Sequence, residues 1–274
     1  MKQGLIIVSA LWALLFLVAA EKVMAQEAVI WPEGMPRVAK WRAFNACALG
    51  FNPILGGDQF KVFVATPITK GKSFLTRDSH IRTGINTIVS PLMAKAGPFI
   101  GISPFLILDL DLYWNQYYDF VAVPFEKLED RYNQGIIKQR GTEVNIGQNF
   151  YLATTLKLAY AGVILVNMFD IEYFHMDDVW YSIELVTVID DGFDYYNKLF
   201  LLYEFKPGWR AGGMLETFHI INSGYHRDIA NFVFMADKKL PLDMTLVWMT
   251  GYHLHNPDYS GVRFWTALLK EWDL

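Results

Sequence analysis

Cysteine is nearly absent: Cys47 stands alone among 274 residues. A single thiol excludes an intramolecular disulfide framework and any multi-cysteine metal centre. Cys47 also lies too far past the apolar N-terminal stretch to be a lipidated first residue, so it reads as a buried structural thiol. Charge is scarce as well. Charged residues make up 19% of the chain, against about 25% in soluble domains. The net charge of -4 lacks the basic face that nucleic-acid binding requires, so no nucleic-acid partner is expected. No block of like charge marks an interaction tail, and no defined protein partner follows from the sequence. Beyond the first 25 residues no apolar run is long enough for a membrane helix. The best one, Leu158–Phe169, stops at Asp170, short of the ~20 residues a span prefers. The signatures G-x-S-x-G and H-E-x-x-H are missing too, and with them two common hydrolase designs. No cofactor and no metal are expected.

What is abundant is apolar and aromatic: 53% hydrophobic residues and 16% aromatics. Part of that sits at the start. Met1-Lys2 is positive, Leu5–Ala20 is apolar, and Val23 and Ala25 are the small residues at −3 and −1 of a cleavage site before Gln26. Val18-Ala19-Ala20 offers a second site. This order is that of a secretory signal peptide, expected over residues 1–25 and cleaved.

The rest is distributed by alternation. Leu106, Leu108, Leu110, Leu112 and Trp114 are interleaved with Ile107, Asp109, Asp111, Tyr113 and Asn115. Strand side chains point to opposite faces with period two, so one face is apolar and the other carries carboxylates. Similar segments recur. Ten strands are expected, over about 59–67, 80–90, 99–116, 145–160, 163–175, 195–205, 210–222, 228–237, 243–254 and 262–274. Residues 26–57, broken by Pro32, Pro36, Pro53 and Gly56-Gly57, read as a periplasmic lead-in or plug, and 58–274 as the barrel. Short turns at Leu92–Gly97, Ala161–Gly162, Lys206–Trp209 and Lys238–Pro241 alternate with the connections Ile68–Ser79, Tyr117–Val144, Met176–Asp194, Asn222–Arg227 and His255–Gly261. That asymmetry, with an even strand count, is the one found in outer-membrane barrels.

Alternation alone fits a soluble barrel with an apolar inside equally well. Strands long enough to span a bilayer favour the membrane. So do aromatics gathered near strand ends: Tyr113, Trp114, Tyr117, Tyr118, Tyr195, Tyr196, Trp248 and Tyr252. On the signal through Ala25, the strand series Gln59–Leu274 and the terminal strand Val262–Leu274, the chain resembles Gram-negative outer-membrane β-barrel proteins, some of them porin-like. The resemblance implies an all-β, antiparallel, up-and-down transmembrane barrel in the outer membrane. It also implies contact with outer-membrane lipid and insertion by the β-barrel assembly machinery.

With the apolar faces outside, Lys61, Arg82, Asp109, Asp111, Lys157, Asp170, Glu172, Lys198 and Glu204 are expected in the lumen as ion pairs, with Glu216 and Arg263. Arg82 would face Asp109 or Asp111, and Lys198 would face Asp170 or Glu172. A structural barrel or narrow channel without catalysis follows. Two alternatives stay open. One is an outer-membrane hydrolase, an omptin-like protease or a lipid-modifying enzyme. It would use Asp109 and Asp111 at the long-loop rim with His253, near His219, His226 and His255. The other is a soluble periplasmic carrier of an apolar ligand.

Overall fold

The computed structural model describes residues 39–51, 55–68, 76, 78–90, 93–119, 145–176, 180–182, 187–189, 191–222, 224–237, 243–256 and 260–274. The expected signal peptide, the lead-in residues 26–38 and most of the charged connection 117–144 lie outside the described residues.

Strands dominate because period-two patterning runs through the whole described chain. In order they are β1 Lys40–Phe51, β2 Leu55–Pro67, β3 His80–Val89, β4 Met93–Phe105, β5 Leu108–Asp119, β6 Asn145–Tyr160 and β7 Val163–Met176. A small hairpin follows, β8 Trp180–Ser182 with β9 Thr187–Ile189. The series ends with β10 Gly192–Lys206, β11 Trp209–Ile220, β12 Tyr225–Ala236, β13 Thr245–His255 and β14 Val262–Asp273. All but the hairpin form one closed barrel of twelve strands, each antiparallel to its neighbours in the chain. β1 pairs with β14 from Arg42↔Asp273 to Phe51↔Phe264 and shuts the cylinder. Closure removes the unpaired strand edges that an open sheet would present.

The fold class is the expected one; the strand count is twelve rather than ten. Residues 40–51, expected within the lead-in or plug, are a barrel strand paired on both sides. The expected strand 99–116 is two strands, because Leu106-Ile107 is a turn. Neither residue is among those with positive φ, so this turn needs no glycine and leaves no glycine signal. The missed turn has a consequence, since each turn reverses the chain. Everything before Leu106 therefore lies end-for-end from where the sequence reading put it. The connection 68–79 opens on the same side as the start of β1, the end of β14 and the turns 106–107, 161–162 and 207–208. The long connections 120–144 and 177–191 open on the other side, together with 90–92. These two sides are called here the short-turn end and the long-loop end.

Polarity runs from outside to inside. On β5, Leu112 and Trp114 are exposed while Tyr113 and Asn115 between them are buried. Ile85, Ile100, Leu152, Ile171, Leu201, Leu215, Phe232 and Leu268 continue the exposed apolar surface around the barrel. Aromatics rim both ends: Trp114, Tyr118 and Tyr252 at the long-loop end, Trp41, Tyr160 and Tyr203 at the short-turn end. Tyr113, Tyr117 and Tyr196, expected in the girdle, point inward. Adjacent residues face opposite sides, and each aligns with inward neighbours such as Phe99, Lys95 and Phe218. Cys47, expected to be buried, is exposed on the outer face of β1. An apolar exterior is the reverse of what a soluble carrier shows to water.

Candidate functional site

The inward rows meet in the lumen as two charge clusters, each with a glycine set in register beside its arginine. Near the short-turn end, Arg82 on β3 reaches over β4 to β5. Its Nη2 lies 2.9 Å from Asp111 Oδ1 and 3.8 Å from Asp109 Oδ1. The register sets Gly101 between Arg82 and Asp111. A Cβ at Gly101 would fall 1.8 Å from Asp111 Oδ1, so only glycine leaves room for the pair. Lys157 on β6 closes on Asp109, and Ser103 donates to the same carboxylate.

Toward the long-loop end the centre is Glu216 on β11. It accepts from Arg227 Nη2 at 3.4 Å and is bonded by Arg263 on β14. Arg263 reaches it past β13, where Gly251 faces it in register, and past Asn231 on β12, to which its Nε donates at 3.0 Å. A Cβ at Gly251 would lie 2.1 Å from Asn231 Oδ1. The clusters differ in hydration. Glu216 and Arg227 keep 3% and 6% of their side-chain surface and Arg263 keeps 18%, whereas the carboxylate Asp109 keeps 15% and Arg82 and Lys157 keep 18% and 30%; the difference lies chiefly in the carboxylates.

Around Glu216 a layer of described lumen side chains is buried. Asn86, Lys95, Asn115, Asn149, Glu172, Asp194 and Phe218, on seven different strands, are all buried. Asn149 bridges Asn115 at 3.0 Å and Glu172 at 2.7 Å. Between this layer and the short-turn end, one wall packs Ile164, Leu202, Met214, Val233, Val247 and Met249 against each other. An apolar patch inside the barrel was not expected. Its inward positions alternate with even more exposed apolar positions, so alternation was weak there.

The remaining expected lumen residues also find places. Lys61 donates to Tyr113 Oη at 2.6 Å. Lys198 aligns with Met168 and Glu216, not with Asp170 or Glu172, and its ammonium lies 4.3 Å from the centre of the Tyr196 ring. Asp170 aligns with Ala153 and Tyr196. Glu204 sits by the β10–β11 turn, accepting from Gly208 N at 2.9 Å and lying 3.5 Å from Arg210. Sequence reading missed Arg42, which lay in the supposed lead-in, and Arg227, which lay in a supposed loop.

The rim-site reading fails on geometry. Asp109 and Asp111 follow the 106–107 turn, so they lie at the short-turn end. His253 is near the opposite end of the barrel, 2.9 Å from Asn256. The cause is that the expected strand 99–116 is two strands. The histidine that does approach Asp109 is His80, whose Nε2 lies 3.4 Å from Ser103 Oγ. His80 Nδ1 faces the Asp78 carbonyl at 2.7 Å, and Asp109 bonds the serine rather than the imidazole. This is not the order of a nucleophile, base and orienting acid. His219, His226 and His255 follow one another on the outer face, with ring centres 5.8 and 5.7 Å apart. Among the described residues no group of His, Cys, Asp and Glu is arranged to hold a metal ion.

Fold and lumen together define the class: an up-and-down barrel with an apolar exterior and a charged, largely filled interior. No protein-family profile matches the chain, and no curated protein matches it. Among solved structures it is similar to the translocator domain of the autotransporter NalP from Neisseria meningitidis. The two are 10% identical, the match covers 97% of this chain and 98% of that one, and the TM-score is 0.47. It is also similar to the β domain of the Bordetella autotransporter BrkA, at 10% identity over 85% and 98% of the two chains, TM-score 0.44. CdiB from Acinetobacter baumannii matches at 9% identity and TM-score 0.43; the match covers 85% of this chain and 60% of that one.

Proposed function

We propose that this chain is a non-catalytic outer-membrane barrel, exported by a cleaved signal peptide, with its short-turn end toward the periplasm and a lumen that is structural rather than an open pore. One observation carries the reading: a continuous exposed apolar surface encloses buried ion pairs. In hydrocarbon that surface costs nothing, while in water it far exceeds the few hundred Å2 patch a soluble monomer tolerates. Three two-residue turns at the end where β1 starts and β14 finishes, against the two longest connections opposite, support the orientation, with 68–79 the exception. Twelve strands make a wider cylinder than the eight that side chains fill readily. Here Arg, Lys, Tyr and Phe side chains reaching across the lumen take up the extra width. The separation of Asp109 from His253 supports the absence of catalysis at the rim.

Fractionation and gel mobility test the location. The protein is expected in the outer-membrane fraction, migrating differently before and after boiling; a freely soluble periplasmic product would overturn the reading. Planar-bilayer recording tests the lumen. The native barrel is expected to give no steady conductance steps, and the double variant Glu216→Ala with Arg263→Ala is expected to give them. Steady steps from the native barrel would make it a channel.

A further inference from the structure

The short-turn half of the lumen holds a cavity of about 500 Å3, within the size range of small-molecule sites. Four cations line it, Arg42, Lys61, Arg82 and Lys157, together with the carboxylates of Asp78, Asp109, Asp111 and Glu271. Three of the cations have carboxylate partners. Arg42 lies 3.0 Å from Glu271, Arg82 lies 2.9 Å from Asp111, and Lys157 bonds Asp109. Lys61 has none within ion-pair reach among the described residues. Its Nζ donates to the Tyr113 hydroxyl and lies 4.9, 5.6 and 5.9 Å from the ring centres of Tyr113, Phe99 and Phe44. Ring faces attract a cation, but they do not neutralise it, and an ammonium withdrawn from water without a counter-charge is unfavourable. The carboxylate in register with Lys61 is Glu271, across Phe44 of β1, and it is held by Arg42; Asp111 is held by Arg82. Arg82 Nε, on the same cavity, is a buried N–H with no acceptor.

Much of the remaining lining is apolar. Phe63 on β2 and Phe99 and Phe105 on β4 contribute to it, as do Val166 and Met168 on β7, three strands on from β4. A group that completes this cavity therefore brings a negative charge to Lys61 and an apolar body to the walls. We infer that the cavity binds a small organic monocarboxylate with an aromatic or short aliphatic body, the carboxylate bonded to Lys61 and the body between Phe99 and Met168. Charge-assisted bonds to a carboxylate are the strong ones, and an aromatic body can stack on the phenylalanines. The inference goes beyond the proposed function and does not depend on which membrane holds the barrel.

The test uses the full chain in lipid nanodiscs, with empty nanodiscs as the blank for partitioning. Three probes share one body: 3-phenylpropanoate, 3-phenylpropanol and 3-phenylpropylammonium, titrated by calorimetry and ligand-observed NMR. The carboxylate is expected to bind at least tenfold more tightly than the other two. Lys61→Met should weaken the carboxylate at least tenfold and leave the alcohol unchanged, while Lys61→Arg keeps most of the affinity. Equal binding of the three probes, no binding of the carboxylate, or native affinity in Lys61→Met overturns the site. If Lys61→Met does not give a heat-modifiable barrel, the three-probe comparison on the native chain decides alone.

Discussion

One lumen contains two ion-pair clusters of the same design. In each, an arginine reaches a carboxylate past a glycine that faces it in register, Gly101 in one and Gly251 in the other. They differ in what surrounds them. Glu216 is enclosed by Arg227, Arg263, Asn231 and a layer of buried amides and rings. Asp109 and Asp111 line a cavity. Closely similar contacts therefore do different work. In the first, Glu216 has almost no surface of its own and depends on its protein partners. In the second, the carboxylates border a cavity where water can take the place of a lost partner.

The largest test of that difference is Glu216→Ala. It leaves two guanidinium groups facing each other without a counter-charge, and removing one partner of a buried pair costs about 3–5 kcal/mol. Urea unfolding in lipid vesicles, read by gel mobility, should show this loss. Asp111→Ala is expected to cost roughly 1 kcal/mol, as partly solvated pairs do. Equal losses would erase the distinction between the clusters. Next come the glycines. Gly251→Ala sets a methyl group against the Ala230 carbonyl as well as Asn231, and overpacking of that kind costs about 1–3 kcal/mol. At Gly101 the neighbours are side-chain ends of Asp111 and Arg82, which can swing into the cavity. Gly101→Ala should therefore cost less than Gly251→Ala, and the reverse order by the same assay would count against the packing account. The smallest effect is that of salt. At about 1 M, where the screening length is near 3 Å, Asp111→Ala should lose most of its penalty while Glu216→Ala keeps its own. A penalty that vanishes for both would mean that water reaches the long-loop half.

Several of these contrasts trace to what could be read in advance. The inward side of Asp109, Asp111 and Glu172 followed from alternation, since each stands between apolar or aromatic neighbours; Arg82 and Lys198 have one such neighbour each, Ile81 and Leu199. Three things did not. Strand β1 was hidden because its inward row, beyond Arg42, is Phe44, Ala46, Ala48 and Gly50, apolar or small, so polarity does not alternate along most of it. The Leu106-Ile107 turn was hidden because both residues are apolar and neither needs positive φ. That single omission sent Asp109 to the wrong rim and paired it with His253. Lys198 was assigned to β7 carboxylates, but register gives its neighbours on that strand as Met168 and, diagonally, Asp170, with Glu216 on the other side. A one-residue slip changes every such partner.

Local pattern by itself determined that this chain is an all-β barrel, which side chains face in on most strands, and that the inside is charged. Those properties depend on neighbours within a few residues, where the period of the strand is visible. Which end of the barrel each residue occupies, which carboxylate an arginine meets, and whether water stays beside them were decided only by the closed structure. They depend on counting every turn and on registers between strands far apart in the chain, β1 with β14 above all. They also depend on long side chains crossing a lumen whose width is set by all twelve strands together.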